Sequence, residues 1–227
     1  MAFRSQAYHC RNIVRMLAAG LLVASVALAA EYPVTHVHVR RDQPGELQME
    51  SDGIRYTEAT KHKNPHEYRW TWNDIQKVVL QPDSIEITTY KDVKWLAGRD
   101  QRFLFRGKGL DAAWPLLRDV LPRRVVADIA TLTPAPPLLE LPAKRLEGRG
   151  GHEGTLRIAA DSIIFESATS SGSHTWLLKE VENISSSDPL ELTIASLGTD
   201  YRLQLKQTLP EAVYNDLWRK LNVRSNH

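Results

Sequence analysis

Gly45-Glu46-Leu47-Gln48-Met49, followed by Asp52-Gly53-Ile54-Arg55-Tyr56, returns later in the chain as Gly154-Thr155-Leu156-Arg157-Ile158 and Asp161-Ser162-Ile163-Ile164-Phe165. Setting Gly45 on Gly154 brings Leu47 onto Leu156, Asp52 onto Asp161, Ile54 onto Ile163 and Tyr56 onto Phe165 without a gap. In the first copy Leu47 and Met49, and Ile54 and Tyr56, alternate with polar neighbours on either side of a short turn, the period of a half-buried strand. Asp52-Gly53 suits that turn because glycine tolerates positive φ.

The correspondence runs on from there. After a length change in the next loop, Trp70, Trp72, Asp74 and Ile75 fall on Trp176, Leu178, Glu180 and Val181. Ile85-Glu86-Ile87 falls on Leu190-Glu191-Leu192, and Phe103 and Phe105 fall on Tyr201 and Leu203. Order kept across every element indicates an internal duplication. Strands are expected at 45–50, 53–58, 67–72, 74–80, 84–90 and 102–106, with a further one near 93–96. The second copy offers 154–159, 162–167, 174–179, 181–186, 190–196 and 201–206.

Each copy then changes period. Leu110, Trp114, Leu117 and Leu121 share one face of a helix, as do Val213, Leu217 and Leu221, with Tyr214 and Trp218 widening the second stripe. Pro210 suits the first turn of the second helix, and Pro115 shifts the start of the first or kinks it. The expected organisation is a signal peptide at 1–29, an N-terminal extension at 30–44, repeat one at 45–122, a proline-containing linker at 123–153, repeat two at 154–222 and a tail at 223–227. Glu31 to Arg41 alternates and reads as an extra strand. Thr133-Pro134-Ala135-Pro136-Pro137 cannot continue a helix or a central strand.

The N-terminus has an export pattern: Arg4, Arg11 and Arg15, then uncharged Leu17 to Ala30, then Ala27-Leu28-Ala29 as a small-x-small cleavage site. The alternative is a retained anchor, but this run reaches only about 21 Å as a helix, short of the roughly 30 Å hydrocarbon core. Export places the mature chain in a bacterial periplasm or outside the cell. Cys10, the single cysteine, lies in the leader, so the mature chain offers no disulfide, thiolate metal site or cysteine nucleophile. Taking the three leader arginines from the 29 basic residues leaves 26 against 27 acidic ones. Such a chain lacks the broad positive field of a nucleic-acid binder.

Six or seven short strands followed by one amphipathic helix, with the G-x-L opening and the W-x-(W/L)-x-(D/E)-(I/V) step, resemble the pleckstrin-homology-like or GRAM-like fold. They also resemble exported bacterial proteins of unknown role with a doubled arrangement. The resemblance implies a mainly β protein: two partly open barrels, each closed by a C-terminal helix, acting as a non-catalytic binding or scaffolding module. Phosphoinositide-binding members carry basic residues in the first hairpin loop. Glu50-Ser51-Asp52 and Ala159-Ala160-Asp161 do not match that pattern.

Candidate contact residues are Lys91, Lys94, Trp95, Arg99 and Arg102, which could meet an acidic partner or anionic lipid; the competing reading is a charge-protected sheet edge. His36, His38, His62 and His66 are candidate metal ligands by spacing, set against a polar strand edge and a hydrophilic loop. Trp70, Trp72 and Trp176 read as packing residues. Gly150-Gly151-His152 reads as a turn. No Gly-x-Ser-x-Gly elbow, P-loop or dinucleotide fingerprint occurs, and no cofactor is expected. The favoured partner is an envelope or extracellular protein. A metal-dependent hydrolase built on the histidines and a peripheral binder of anionic membrane are the alternatives.

Overall fold

The computed structural model describes residues 30–38, 41–60, 65–94, 96–130, 136–148, 150–169 and 171–224. The leader, His62 and Trp95 lie outside them. The protein is mainly β: among the described residues one continuous sheet of fifteen strands is accompanied by two α-helices.

The first half contains β1 (Ala30–Val37), β2 (Gln43–Met49), β3 (Gly53–Glu58), β4 (Glu67–Thr71), β5 (Ile75–Gln81), β6 (Ser84–Val93), β7 (Leu96–Gly107) and α1 (Trp114–Val120). A short connecting strand, β8 (Val125–Ala127), follows. The second half contains β9 (Leu139–Glu147), β10 (Gly150–Ile158), β11 (Ser162–Ser167), β12 (His174–Leu177), β13 (Val181–Ser185), β14 (Glu191–Ser196), β15 (Thr199–Leu205) and α2 (Glu211–Arg224). The sheet order is β13-β14-β15-β9-β10-β11-β12, then β8, then β5-β6-β7-β1-β2-β3-β4. The two seven-strand blocks have the same internal order.

Each block has its own core. Leu47, Ile54, Tyr56, Ile85, Ile87 and Phe105 form the first, joined by Leu110, Trp114, Leu117 and Leu121. Leu156, Ile163, Phe165, Trp176, Leu192 and Ile194 form the second, joined by Leu209, Leu217 and Leu221 from and around α2. Leu177 of β12 packs into the first core across the seam.

Several expectations are corrected. The strand expected within Glu31 to Arg41 is present as β1, but it pairs with both β2 and β7, at the centre of its block rather than as an extension to it. The segment 123–153 is not simply a linker, since it contains β8, β9 and the start of β10. Gly150-Gly151-His152 is not a turn but opens β10 opposite β9. Val34 pairs with Gly45 and Ala143 with Gly154, so the duplication extends back: Glu31-Tyr32-Pro33 matches Glu140-Leu141-Pro142, and His36 matches Arg145. Both strands carry a proline, Pro33 and Pro142. Each lies one position beyond the last residue paired to β7 or β15, so its missing N–H interrupts neither ladder.

Ile85-Glu86-Ile87 falls on Leu192-Thr193-Ile194, two residues later than the sequence match, because Ile85 pairs with Phe105 as Leu192 pairs with Leu203. The first helix starts as a 3-10 turn at Leu110–Ala113 and becomes α-helical at Trp114, which puts Pro115 in the first turn, where no N–H is needed. Trp218, expected on the buried stripe of α2, is 49% exposed.

Candidate functional site

The two blocks differ most in one hairpin. In the second, β14 and β15 meet at a tight turn, Ser196 opposite Thr199, with Leu197 and Gly198 both at positive φ. In the first, β6 and β7 run on past Thr89 as an arm, Tyr90 to Asp100. Asp92 braces it, its carboxylate accepting from the Gly98 N–H (3.0 Å) and its carbonyl from Gln101 Nε2 (2.9 Å). Lys91, Lys94, Arg99 and Arg102 are all exposed on the arm or at its base, so the structure brings four of the five candidate contact residues together. Tyr90 and Leu96, 58% and 50% exposed, stand among them. Two exposed large apolar side chains thus stand beside four exposed cations on one hairpin.

A cleft of about 460 Å³ opens at the base of the arm, lined by Tyr68, Arg69, Trp70, Thr89, Lys91 and Phe103 among others. Its wall is aromatic: Tyr68 stacks on Trp70 with ring centres 5.7 Å apart and 6° between planes, and Phe103 lies 4.7 Å from Trp70. One side is β4, which among the described residues pairs only with β3. Most charges around the cleft are engaged. Arg69 is held by Glu50 and Asp52, Asp74 accepts from the Thr71 N–H and hydroxyl, and Glu67 lies 3.7 Å from Arg55. Lys91 forms no ion pair within 4 Å among the described residues, although its charge helps hold the Asp74 carboxyl below its ordinary range, after the Thr71 hydrogen bonds.

The equivalent place in the second block is filled. Tyr68, Arg69 and Trp70 correspond to His174, Thr175 and Trp176, and the chain's own β8 runs beside them, Ala127 opposite Thr175. The next residue, Asp128, takes a 2.6 Å hydrogen bond from His174 Nδ1, and Thr175 Oγ1 donates to the Ile129 carbonyl at 2.7 Å. Arg145 is buried on the other side, with Nη1 3.9 Å from Asp128 and Nη2 paired to Glu147. His152 in turn lies 3.3 Å from Glu147. Asp128, Arg145, Glu147 and His152 line a polar cavity of about 540 Å³ with Gln81 and Asp83 of the first block.

Sequence reading missed this cluster. Its one readable signal was period two in β9, where Arg145 follows Leu141 and Ala143 at an inward position.

Burial pushes the His174 pKa down more than Asp128 pulls it up, so we assign a neutral ring donating Nδ1–H to an ionised carboxylate. Asp128 is held below its ordinary range: desolvation opposes this, but the His174 hydrogen bond and the nearby charge of Arg145 outweigh it. Tyr201, beside His174, is pushed up to about 12, chiefly by burial.

These directions fix a pH dependence. Below about pH 6.5 the unfolded chain binds a proton at His174 that the folded chain does not, so stability falls with pH until the buried ring itself titrates. His36, also lowered by burial, adds to the same window. The Asp128 contribution is present above about 3.8 and lost as pH falls through its lower folded value. Urea unfolding should therefore give a plateau at pH 7–8 and a decline from about 6.5 to 5. His174→Asn should flatten part of that decline; an unchanged pH profile would refute the neutral-histidine assignment.

The candidate metal ligands are placed as follows. His36 is buried in an aromatic cluster with Tyr56, Tyr68 and Phe105, its ring 4.9 Å from Phe105, and its Nδ1 has no hydrogen-bond partner. His38 lies 5.8 Å from His36, ring centre to ring centre, and is exposed like His66. Among the described residues no group of three or more His, Cys, Asp or Glu side chains is placed to hold a metal ion. Trp70 and Trp176 are buried and Trp72 packs against the first core, its Nε1 donating to the Ser51 carbonyl.

No family model matches the chain, and no curated protein matches it. Solved structures similar to it include the C-terminal domain of an unknown protein from Leishmania infantum, 17% identical over 38% of this chain and 84% of that one, with a TM-score of 0.32. The Spt16D Pob3N heterodimer is 7% identical over 74% of this chain and 82% of that one, with a TM-score of 0.34.

Proposed function

We propose that this is an exported, non-catalytic binding or scaffolding protein made of two pleckstrin-homology-like modules, whose working surface is the arm and cleft of the first. Support for two partly open barrels, each closed by its helix, comes from the repeated strand order and from a separate core in each block that includes helix residues. Support for the working surface comes from asymmetry. The second module has a minimal β14–β15 turn and an occupied cleft; the first has a cationic, partly apolar arm and an open one. A copy whose site is filled by its own chain supports the other, which keeps its site free. The partner is an envelope or extracellular protein with an acidic face.

Crosslinking of the mature protein in its own envelope tests this. Reversing the arm charges (Lys91→Glu, Lys94→Glu, Arg99→Glu, Arg102→Glu) should reduce capture of a reproducible protein partner at least about tenfold, through loss of electrostatic complementarity. Stability should change by no more than about 0.5 kcal/mol per exposed site. Capture that survives the reversal would refute the assignment of the arm.

A second reading is favoured by Tyr90 and Leu96 standing among the cations: peripheral attachment to anionic membrane. Sedimentation with phosphatidylglycerol vesicles that weakens with salt and with the same charge reversal would support it.

A further inference from the structure

The second module contains a model of what the first module's cleft should hold. β12 is not left open: β8 (Val125–Ala127) pairs with it at Ala127 opposite Thr175, and the next two residues, Asp128 and Ile129, accept hydrogen bonds from the His174 and Thr175 side chains. This segment meets His174 and Thr175, the residues equivalent to Tyr68 and Arg69. We propose that β4 receives an extended segment of a partner protein in the same way, as an added strand carrying small or branched apolar residues and an acidic one. This rests on the binding-module reading above and names the form and chemistry of the partner.

The backbone of β4 is set for it. Glu58 N–H bonds to His66 and Trp72 N–H to Asp52, so in the alternating antiparallel pattern Tyr68 and Trp70 turn their peptide groups to β3. Arg69 between them turns its N–H and C=O to the open side. The same phase operates in β12, where Leu178 N–H bonds to Asp161 and Thr175 faces β8. An unpaired edge beside side-chain pockets is the requirement for strand addition, in which main-chain bonds supply affinity and pockets supply specificity.

The cleft volume of about 460 Å³ is within the ~300–1,000 Å³ range of sites that take ligands. Its stacked Tyr68 and Trp70 offer an apolar floor to alternate side chains. The charge also matches. In the second module the occupying segment brings Asp128 to His174 and Arg145. In the first, the cation at the cleft without an ion-pair partner among the described residues is Lys91, with Lys94 and Arg99 farther along the arm, so an acidic side chain in the incoming strand is complementary.

The probe is a synthetic peptide with the sequence of residues 124–130, the segment that fills the equivalent edge, added to the isotope-labelled mature chain and followed by amide NMR shifts. The expected result is saturable shifts at Glu67–Thr71 and Phe103 at peptide concentrations on the order of 1 mM. Binding should weaken about tenfold on Asp→Lys substitution in the peptide or Lys91→Glu in the protein. Arg69→Pro, which removes the outward N–H, should abolish the β4 shifts while second-module signals persist. Lys91→Glu keeps the test decisive if the proline variant does not fold.

No β4 shift at that concentration, shifts confined to β8 and β12, or shifts insensitive to these variants would overturn the proposal. Concentration-dependent self-association lost in Arg69→Pro would also overturn it, making the occupant a second copy of the chain. Envelope capture that depends on the arm charges but not on Arg69 would overturn strand addition while leaving the binding-module reading intact.

Discussion

Replacing Asp128 with Ala should lower the unfolding midpoint by about 6–12 °C, the effect of losing about 3 kcal/mol in a domain of this size. The carboxylate is the shared partner of two buried groups. His174 gives it an N–H at 2.6 Å, and Arg145, with a side chain only 7% exposed, depends on it and Glu147 for compensating charge. Removing one member of a buried pair strands the other, a larger cost than the pair's net worth. Asp128→Asn should cost less, because the amide oxygen still accepts from His174 while Arg145 loses its neighbour. The decisive comparison is Asp128→Ala with Arg145→Met added. Removing both charges should recover much of the lost stability, so the double variant is expected to be more stable than Asp128→Ala alone. Thermal and urea unfolding of the three variants measures this; a single variant within 1 kcal/mol of the parent, on the same scale, would show that the cluster carries no strain of this kind.

The consequence reaches beyond one residue, because Asp128 sits where the two modules are joined. Arg124 Nη1 donates to the Trp72 and Ile75 carbonyls of the first block, and the Arg123 N–H donates to Glu180 of the second. β8 runs parallel to β5 and antiparallel to β12. The segment is thus a clasp as well as a plug, and loss of Asp128 should loosen the seam before either core.

Much of this was legible in the sequence, for reasons that differ between elements. Strands β2, β3 and β14 announce themselves because inward residues are buried and the alternate ones are not, which writes period two into the chain. The helices were legible from Leu110, Trp114 and Leu117, and from Val213, Leu217 and Leu221. What stayed hidden was β9, since Pro142 and the prolines before it imitate a linker, the central place of β1 in its block, and β8, whose three residues are too few to carry a period. The Ile85 match slipped by two because a shift of two keeps every side chain on the same face. At the site, Lys91, Lys94, Arg99 and Arg102 stood out as a cationic cluster. The Asp128, His174 and Arg145 cluster did not, because its members come from segments distant in the sequence and only sheet register brings them together.

Gly45→Ala and Gly154→Ala should each cost about 3 kcal/mol, and the duplication explains why both do. At Gly45 an added Cβ would collide with the Thr57 carbonyl oxygen and the Tyr56 ring; at Gly154 it would collide with the Glu166 carbonyl oxygen and the Phe165 ring. Neither glycine has positive φ, so the requirement is for space, set by an aromatic ring on the next strand lying over the glycine. Tyr56 is fully buried and its hydroxyl donates to the Gln43 carbonyl at 2.9 Å, which fixes the ring in place. Truncating the ring, as in Gly45→Ala combined with Tyr56→Ala, should not restore stability, because the carbonyl collision remains and β2 must still move from β3. Since the two glycines border separate cores, their costs should add to within about 0.5 kcal/mol. Chemical unfolding of the two single variants and the pair measures both points. If one alanine is tolerated and its counterpart is not, the modules share a strand order but not the packing that made the repeat visible in the sequence.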